Sequence, residues 1–497
     1  MALLLPFDCR MKKGILLGIL WLAGGWMLAQ AQLIKSIGSQ RQLFTDRWFV
    51  DSLLGCRMVK HEPVDRGAVL YFNEGAMKEG TQCTYATVIR RDSVFQVYYR
   101  AGLTGIDDYG EQHTSYAESR DGINWIKPAL GFFSVNGSKN NNVVMTNQNR
   151  DHVVHNFSPF YDNRSGVPAE QRYKALGGLR HGLFAYVSAD GKKWTRLQEK
   201  PVLTGSMFDS QNVSFWSESE QVYVCYFREW TDGAFKGYRT VARSTSADFV
   251  NWTPKEMIRF GNSPVEHIYI SQTAPYFRAP QIYISTAARL VTDRVVLPAG
   301  EAERLGVEPM YRRGGIDGIS DVVLMTTRGG DSMDRTFMSS ILRPGIGYHN
   351  WISRSNFPAL NIVETGPGEM SLYVVQEYAQ LGNHLRRYTW RTDGLASVQA
   401  PYEGGEFVTP FFTFTGTRLS LNYTTSAAGS IRVEVQDAAG KPIKYFSAKD
   451  CTPLIGNETD RFVYWERFPQ LAELQDKPIR LRFILHDADL YSLKFEP

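Results

Sequence analysis

The chain has 497 residues, 55 Lys and Arg against 51 Asp and Glu, and a formal charge of +4. So small an excess, with Arg312-Arg313 and Arg386-Arg387 only as isolated pairs, leaves no electrostatic footprint for nucleic acid. The length suggests about three domains, or two if one is a large ring of strands.

At the start, Lys12 and Lys13 precede an apolar run over 14–28, and Ala29-Gln30-Ala31 follows as a small-x-small cleavage site. This pattern predicts a secretory signal peptide over residues 1–31, with Met11 as an alternative start. The run is short for a membrane span, and no cysteine follows the cleavage site to carry a lipid. The expectation is a secreted or periplasmic protein with no stable membrane insertion. Beyond the leader, Cys56, Cys83, Cys225 and Cys451 show no metal-ligand spacing. Cys225 sits in a strand-like run, and Cys56 with Cys83 would suit a disulfide in an oxidising compartment.

Residues 32–70 form a lead-in, with Trp48-Phe49-Val50 as a strand placed to close a ring. Three copies of one phrase then follow: Ser119-Arg120-Asp121-Gly122-Ile123-Asn124-Trp125, Ser188 to Trp194, and Ser246 to Trp252. Each is Ser-x-Asp-x-x-x-Trp, and each follows short alternating strands. A repeat of this size built from strands is the signature of a β-propeller, with Asp-Gly at a tight turn and Trp at the blade edge. Blade one is predicted over about 71–135, blades two and three end in the later phrases, and blade four is less regular, with a polar insertion over 292–319. Blade five would hold 359–363, 370–377 and 385–391, with Thr392-Asp393-Gly394 as a turn; a sixth blade requires the lead-in to form one.

Pro401 to Gly405 reads as a hinge, and the short strands after it as a β-sandwich. The predicted fold is therefore all-β: a five-bladed β-propeller over 32–400 followed by a jelly-roll-like β-sandwich over 401–497.

In a propeller the loops leading into the innermost strands gather around a central funnel, so polar residues there are the informative ones. Blade one offers Glu74 and Glu79, blade two His155 and Asn156, and blade three Asp209, Gln211 and Asn212. Blade four offers Glu266 and His267, and blade five Arg354 and Asn356. Glycosidic cleavage needs one carboxyl group to protonate the leaving oxygen and another to attack or to activate water. The expected triad is Glu266 as acid, Glu79 as base or nucleophile, and Asp209 as modulator of the acid and ligand of sugar hydroxyls. His155, Asn156, Gln211, Asn212, His267, Arg354 and Asn356 would bind substrate, and an Arg fork at 354 suits a carboxylate-bearing one. Each has a structural alternative: Asp209 as a turn residue, the histidines as hydrogen-bonded core groups, Arg354 as a loop pin. The Asp residues of the Trp phrases belong to outer turns. No zinc-protease, nucleophile-elbow, phosphate-loop or dinucleotide motif occurs, so no cofactor is expected, although an oxygen-ligated calcium site leaves little trace in sequence.

Asp209-Ser210-Gln211-Asn212, His155-Asn156-Phe157-Ser158-Pro159, Glu266-His267 and the stretch Arg386 to Gly394 resemble secreted five-bladed propellers grouped near glycoside hydrolase families 32 and 43. Ser426 to Ser430 and His486 to Tyr491 resemble the sandwich that follows such propellers. The resemblance implies a three-carboxylate axial site, mapped by position to Glu79, Asp209 and Glu266. The chain lacks the Asn-Asp-Pro-Asn-Gly, Arg-Asp-Pro and Glu-Cys signatures of invertase-type enzymes; Phe227-Arg228-Glu229-Trp230 has no proline. Fructan cleavage is therefore not implied. The leading expectation is a secreted hydrolase acting on a polysaccharide or oligosaccharide. A non-catalytic carbohydrate-binding propeller is the alternative, and a lyase or phosphorylase on the same scaffold a third reading.

Overall fold

The structure is a computed structural model that describes residues 34–74, 79–102, 112–147, 151–307 and 318–497. The expected signal peptide and part of the insertion over 292–319 lie outside these residues.

Five antiparallel sheets form the propeller. Blade one contains Thr84–Arg91, Val94–Ala101, His113–Ser119 and Val143–Thr146, with Trp125–Ile126 as a short extra strand. Blade two runs from Ser158–Tyr161 through Tyr173–Gly177 and Phe184–Ser188 to Thr195–Arg196. Blade three contains Val213–Ser217, Val222–Trp230, Arg239–Ser246 and Glu256–Met257. In blade four His267–Ile270 and Thr273–Tyr276 both pair with the long strand Ala279–Val291, which pairs with Ile319–Thr327. In blade five Phe357–Pro358 and Val363–Gly366 pair with Glu369–Gln376, and His384–Arg391 follows.

The ring is closed by Val64–Tyr71, which pairs with His384–Arg391 as the outermost strand of blade five. The expected closing strand at Trp48 is instead a 3-10 turn, Arg47–Phe49, because the Asp46 side chain accepts the Trp48 backbone N–H. Phe49 points into the sandwich core. On the inner side, the Val88 and Leu360 backbone N–H groups bond to Leu360 and Ala86 carbonyls, joining blades one and five.

The Trp phrases are one motif repeated. In each, the Ser hydroxyl bonds the Asp carboxylate at 2.9–3.0 Å, and the same Asp oxygen accepts two following backbone N–H groups. The residue after Asp has φ of 71°, 73° and 68°, a left-handed conformation that suits Gly122 and Gly191 but is held by Phe249 in the third copy. Phe249 compensates by burying its ring against Phe160 and Tyr223. The phrases also join blades, since Trp125 packs on Tyr373 of blade five and Trp194 on Tyr98 of blade one.

The sandwich is larger than its expected span. Ser52–Leu54, Arg57–Lys60 and Gln42–Leu43 pair with its strands, and Lys35–Gly38 pairs in parallel with Phe412–Phe414. The propeller is thus inserted between the first and later strands of the sandwich, and the boundary expected at residue 32 moves to near Val64. Arg418–Gln436 and Arg480–Glu496 are long, paired strands whose register shifts twice. They line a core that includes Phe44, Phe407, Phe412, Phe483 and Phe495. Asp393, expected as a turn residue, is fully buried at the joint. Its carboxylate accepts from Tyr276, Arg278, Asn422, Ser492 and Arg41, tying propeller to sandwich. All four described cysteines are free thiols, so the suggested Cys56–Cys83 bridge is absent: Cys56 packs against the sandwich and Cys83 lies in the propeller core.

Candidate active site in the axial funnel

The propeller axis is blocked midway. Gln211 Nε2 donates to the Ala86 carbonyl and Thr87 hydroxyl of blade one, and Gln272 Nε2 donates to Gln211 Oε1 and the Pro358 carbonyl. Two mouths result. The one at the entrance of the inner strands holds a cavity of about 380 Å³ lined by Leu179, Arg180, Phe208, Asp209, Arg228 and Phe235, among others.

Asp209 is the acidic side chain of that lining and is half exposed. His155 Nε2 donates to its Oδ1 at 2.8 Å, and Arg228 Nη1 stands 3.7 Å from Oδ2. Partial burial pushes the Asp209 carboxyl up, but the His155 hydrogen bond, Arg228 and Arg239 outweigh it and hold it well below the usual carboxylate range. Burial in turn pushes His155 down to about 4, against the pull of Asp209, so its ring is neutral at pH 7. Its Nδ1 faces the Gln112 side-chain amide at 2.9 Å.

Cations surround this pair. Arg228 and Arg239 are 4% and 2% exposed. Arg239 lays its guanidinium 3.5 Å from the Tyr269 ring centroid. Arg354 Nε donates to the Tyr269 hydroxyl at 3.2 Å, from a backbone with φ of 67°. Arg100 reaches the Tyr378 hydroxyl and packs over the Tyr85 ring. Burial pushes the Tyr269 phenol up, but Arg354 and Arg239 together bring it down to about 8. Burial pushes Tyr85, by contrast, strongly up.

The expected triad does not converge. Glu79 has no exposed side-chain surface; its oxygens accept from Tyr99, Asn142 and Lys127. Lys127 also donates to the carbonyls of Tyr71, Phe72 and Glu74, so Glu79 anchors a loop and is no base or nucleophile, while its rival Glu74 is exposed. Glu266 is clamped within blade four, Oε1 by Arg289 at 2.9 Å and Oε2 by Arg335 at 2.6 Å, so neither oxygen is left to carry a donor proton.

Four expected sugar-binding amides are internal staples. Asn156 bonds the Gly178 N–H and the Gly178 and Phe208 carbonyls. Gln211 plugs the axis, Asn212 ties the Phe208 and Ser210 carbonyls, and Asn356 ties those of Ser320 and Asn350. All four are at most 1% exposed, because buried inner loops must satisfy their own backbone. His267 is half-buried, accepts the Arg239 backbone N–H on Nδ1 and packs on Tyr238. His155 bonds Asp209 directly, and Arg354 bonds Tyr269.

Sequence reasoning missed Arg100, Arg228, Arg239, Tyr269 and Phe235. A signal was present for Arg228, an ionisable residue directly after the apolar run Val222 to Phe227. Antiparallel pairing of Arg228 with Val241 and Trp230 with Arg239 brings both arginines to the Asp209 end of blade three. Among the described residues no group of three or more His, Cys, Asp and Glu is placed to hold a metal ion, and no helix is long and apolar enough to cross a membrane.

No family model matches the chain, and no curated protein does. Solved structures do. BT0996, in its complex with RGII, is similar over 66% of this chain and 92% of its own, at 11% identity and a TM-score of 0.45. A β-1,2-mannobiose phosphorylase from Listeria innocua matches over 67% and 97%, at 6% and 0.43. The α-L-arabinofuranosidase Arb93a from Fusarium graminearum matches over 67% and 98%, at 12% and 0.39. At these values the likeness carries no argument about activity; the five-bladed fold rests on the strand pairing above.

Proposed function

We propose that the protein is a glycosidase-type hydrolase acting at the end of a carbohydrate chain, with Asp209 as its catalytic carboxylate. The observation that carries this reading is an ionised, half-exposed Asp209 in a pocket whose lining also holds Arg180, Arg228, Phe208 and Phe235. A carboxylate held in its charged form serves as nucleophile, as base toward water, or as partner of the developing oxocarbenium charge. It is no proton donor at neutral pH, and its role is larger than the modulation of an acid expected from sequence. A proton source is at hand in the Tyr269 phenol, still protonated at pH 7 and steadied by Arg354. Phe235, 61% exposed at the mouth, offers a face for the C–H side of a sugar ring. The blocked axis favours a chain end over a chain passing through. The leader pattern in residues 12–31 supports work outside the cytoplasm.

Sequestration of Glu79 and Glu266 favours a second reading, a carbohydrate-binding propeller without catalysis. Release of reducing ends from a broad panel of polysaccharides, with loss in Asp209→Asn, supports the hydrolase. Binding to the same panel without product supports the second reading.

A further inference from the structure

We infer that the funnel recognises a sugar unit bearing a carboxylate, such as a terminal uronic acid. This deepens the proposed site by naming its substrate class, and it rests on that reading only for where the sugar sits.

Among the described residues the funnel carboxylate Asp209 has Arg228 3.7 Å from its Oδ2 and Arg239 on its backbone carbonyl, while Arg100 stands 3.4 Å from its partner His155 and Arg354 bonds the neighbouring Tyr269. Elsewhere in the propeller, cations and carboxylates pair closely: Lys174 with Asp162, Arg243 with Glu220, and Arg289 with Asp321 and Glu266. Among the described residues, Glu229, next to Arg228, is committed to Lys255 and Ser206, and Asp151 to Arg196. An uncompensated buried cation is costly, so a protein keeps such a cluster where an anion completes it.

The hydrogen bonds agree. Arg228 Nη2 and Arg239 Nε are buried and have no partner among the described residues. Arg228 lines the cavity itself. Guanidinium N–H groups match the planar geometry of a carboxylate. Arg180, exposed at the rim, adds a further cation. Phe235 beside Arg228 supplies an apolar wall, 5.8 Å from its guanidinium. A cation cluster beside an aromatic face suits a sugar acid better than a bare inorganic anion.

Titration calorimetry on the full chain tests this with D-galacturonate and D-glucuronate against D-galactose, D-glucose and galactose 6-sulfate. The acids are expected to bind at least about tenfold more tightly than the neutral sugars, with affinity falling as NaCl rises. Asp209→Asn, which removes the opposing charge among the described lining residues, is expected to tighten acid binding by about threefold to tenfold. Arg228→Gln is expected to weaken it by about tenfold or more; if that variant does not fold, the salt dependence and Asp209→Asn decide. Equal affinity for neutral sugars, no binding of either acid at millimolar concentration, or weaker acid binding in Asp209→Asn overturns the inference. Preference for the sulfated sugar overturns the assignment of the carboxylate. Hydrolysis is scored separately: acid binding without turnover sinks the enzyme reading alone, and turnover of neutral glycans with no acid preference sinks this one alone.

Discussion

The two ends of the propeller axis are built from the same five blades, yet they handle charge in opposite ways. The lower mouth is a cavity of about 310 Å³ walled by Phe160, Phe215, Trp216, Phe277, Pro275 and Pro280. Its Arg90 is paired with Glu364 across blades one and five. At the upper mouth Arg228 and Arg239 approach Asp209, Arg100 and Arg354 flank its neighbours His155 and Tyr269, and guanidinium N–H groups are left without partners among the described residues. A fold that only needed to close its axis would treat both ends like the lower one. The imbalance at the top marks the end to which the proposed binding chemistry belongs.

The largest expected effect that sharpens this contrast is at Asp209. Asp209→Asn should cut glycoside turnover by about 10² to 10⁴, read as kcat/KM on the first active substrate, with the melting temperature little changed. Unchanged turnover would remove the upper mouth as the catalytic end.

Next is the carboxylate that proved structural. Glu79→Ala leaves Lys127 facing a buried space and should destabilise the protein by about 3 kcal/mol in denaturant unfolding. If stability holds, Glu79 does something other than anchor its loop.

A third test uses pH. His155 titrates near 4 when folded and near 6.5 when unfolded, so between those values the unfolded chain binds the extra proton. Stability should therefore fall as pH drops from 6.5 toward 4, by up to about 3 kcal/mol. His155→Gln should flatten that slope in unfolding curves taken across this window. An unaltered slope would mean that the His155–Asp209 pair is not what couples the funnel to protons.

The smallest effect belongs to the lower mouth. Arg90→Ala removes a half-exposed pair and should cost at most about 1 kcal/mol, with no change in sugar affinity. A loss of binding there would break the contrast between the two ends.

The architecture was legible because the Ser-x-Asp-x-x-x-Trp turn is local chemistry: its hydrogen bonds lie within seven residues and repeat in three blades. The funnel was partly legible. Loops before inner strands bring Asp209 and His155 into one hydrogen bond. The sequence could not tell which polar residue turns outward, because that depends on distant partners. Lys127 reaches Glu79 from 48 residues away, and Arg335 reaches Glu266 from 69. The arginines of blade three were hidden because they sit at strand ends, where only pairing register reveals which mouth they face. Val64–Tyr71 was missed as the closing strand because it is largely solvent-exposed and carries Asp65, Arg66 and Gly67, so its alternation is weak.

That closing strand has a consequence for how the molecule is made. Val64–Tyr71 leaves the ribosome long before its partner, His384–Arg391. At about 5–20 residues per second the delay is roughly 15–65 s, during which four blades can form while the ring stays open. Throughout that wait the early strand is an unpaired edge, guarded by the charges of Asp65 and Arg66. The protein is thus expected to become protease-resistant late and all at once, when translation has passed the fifth blade.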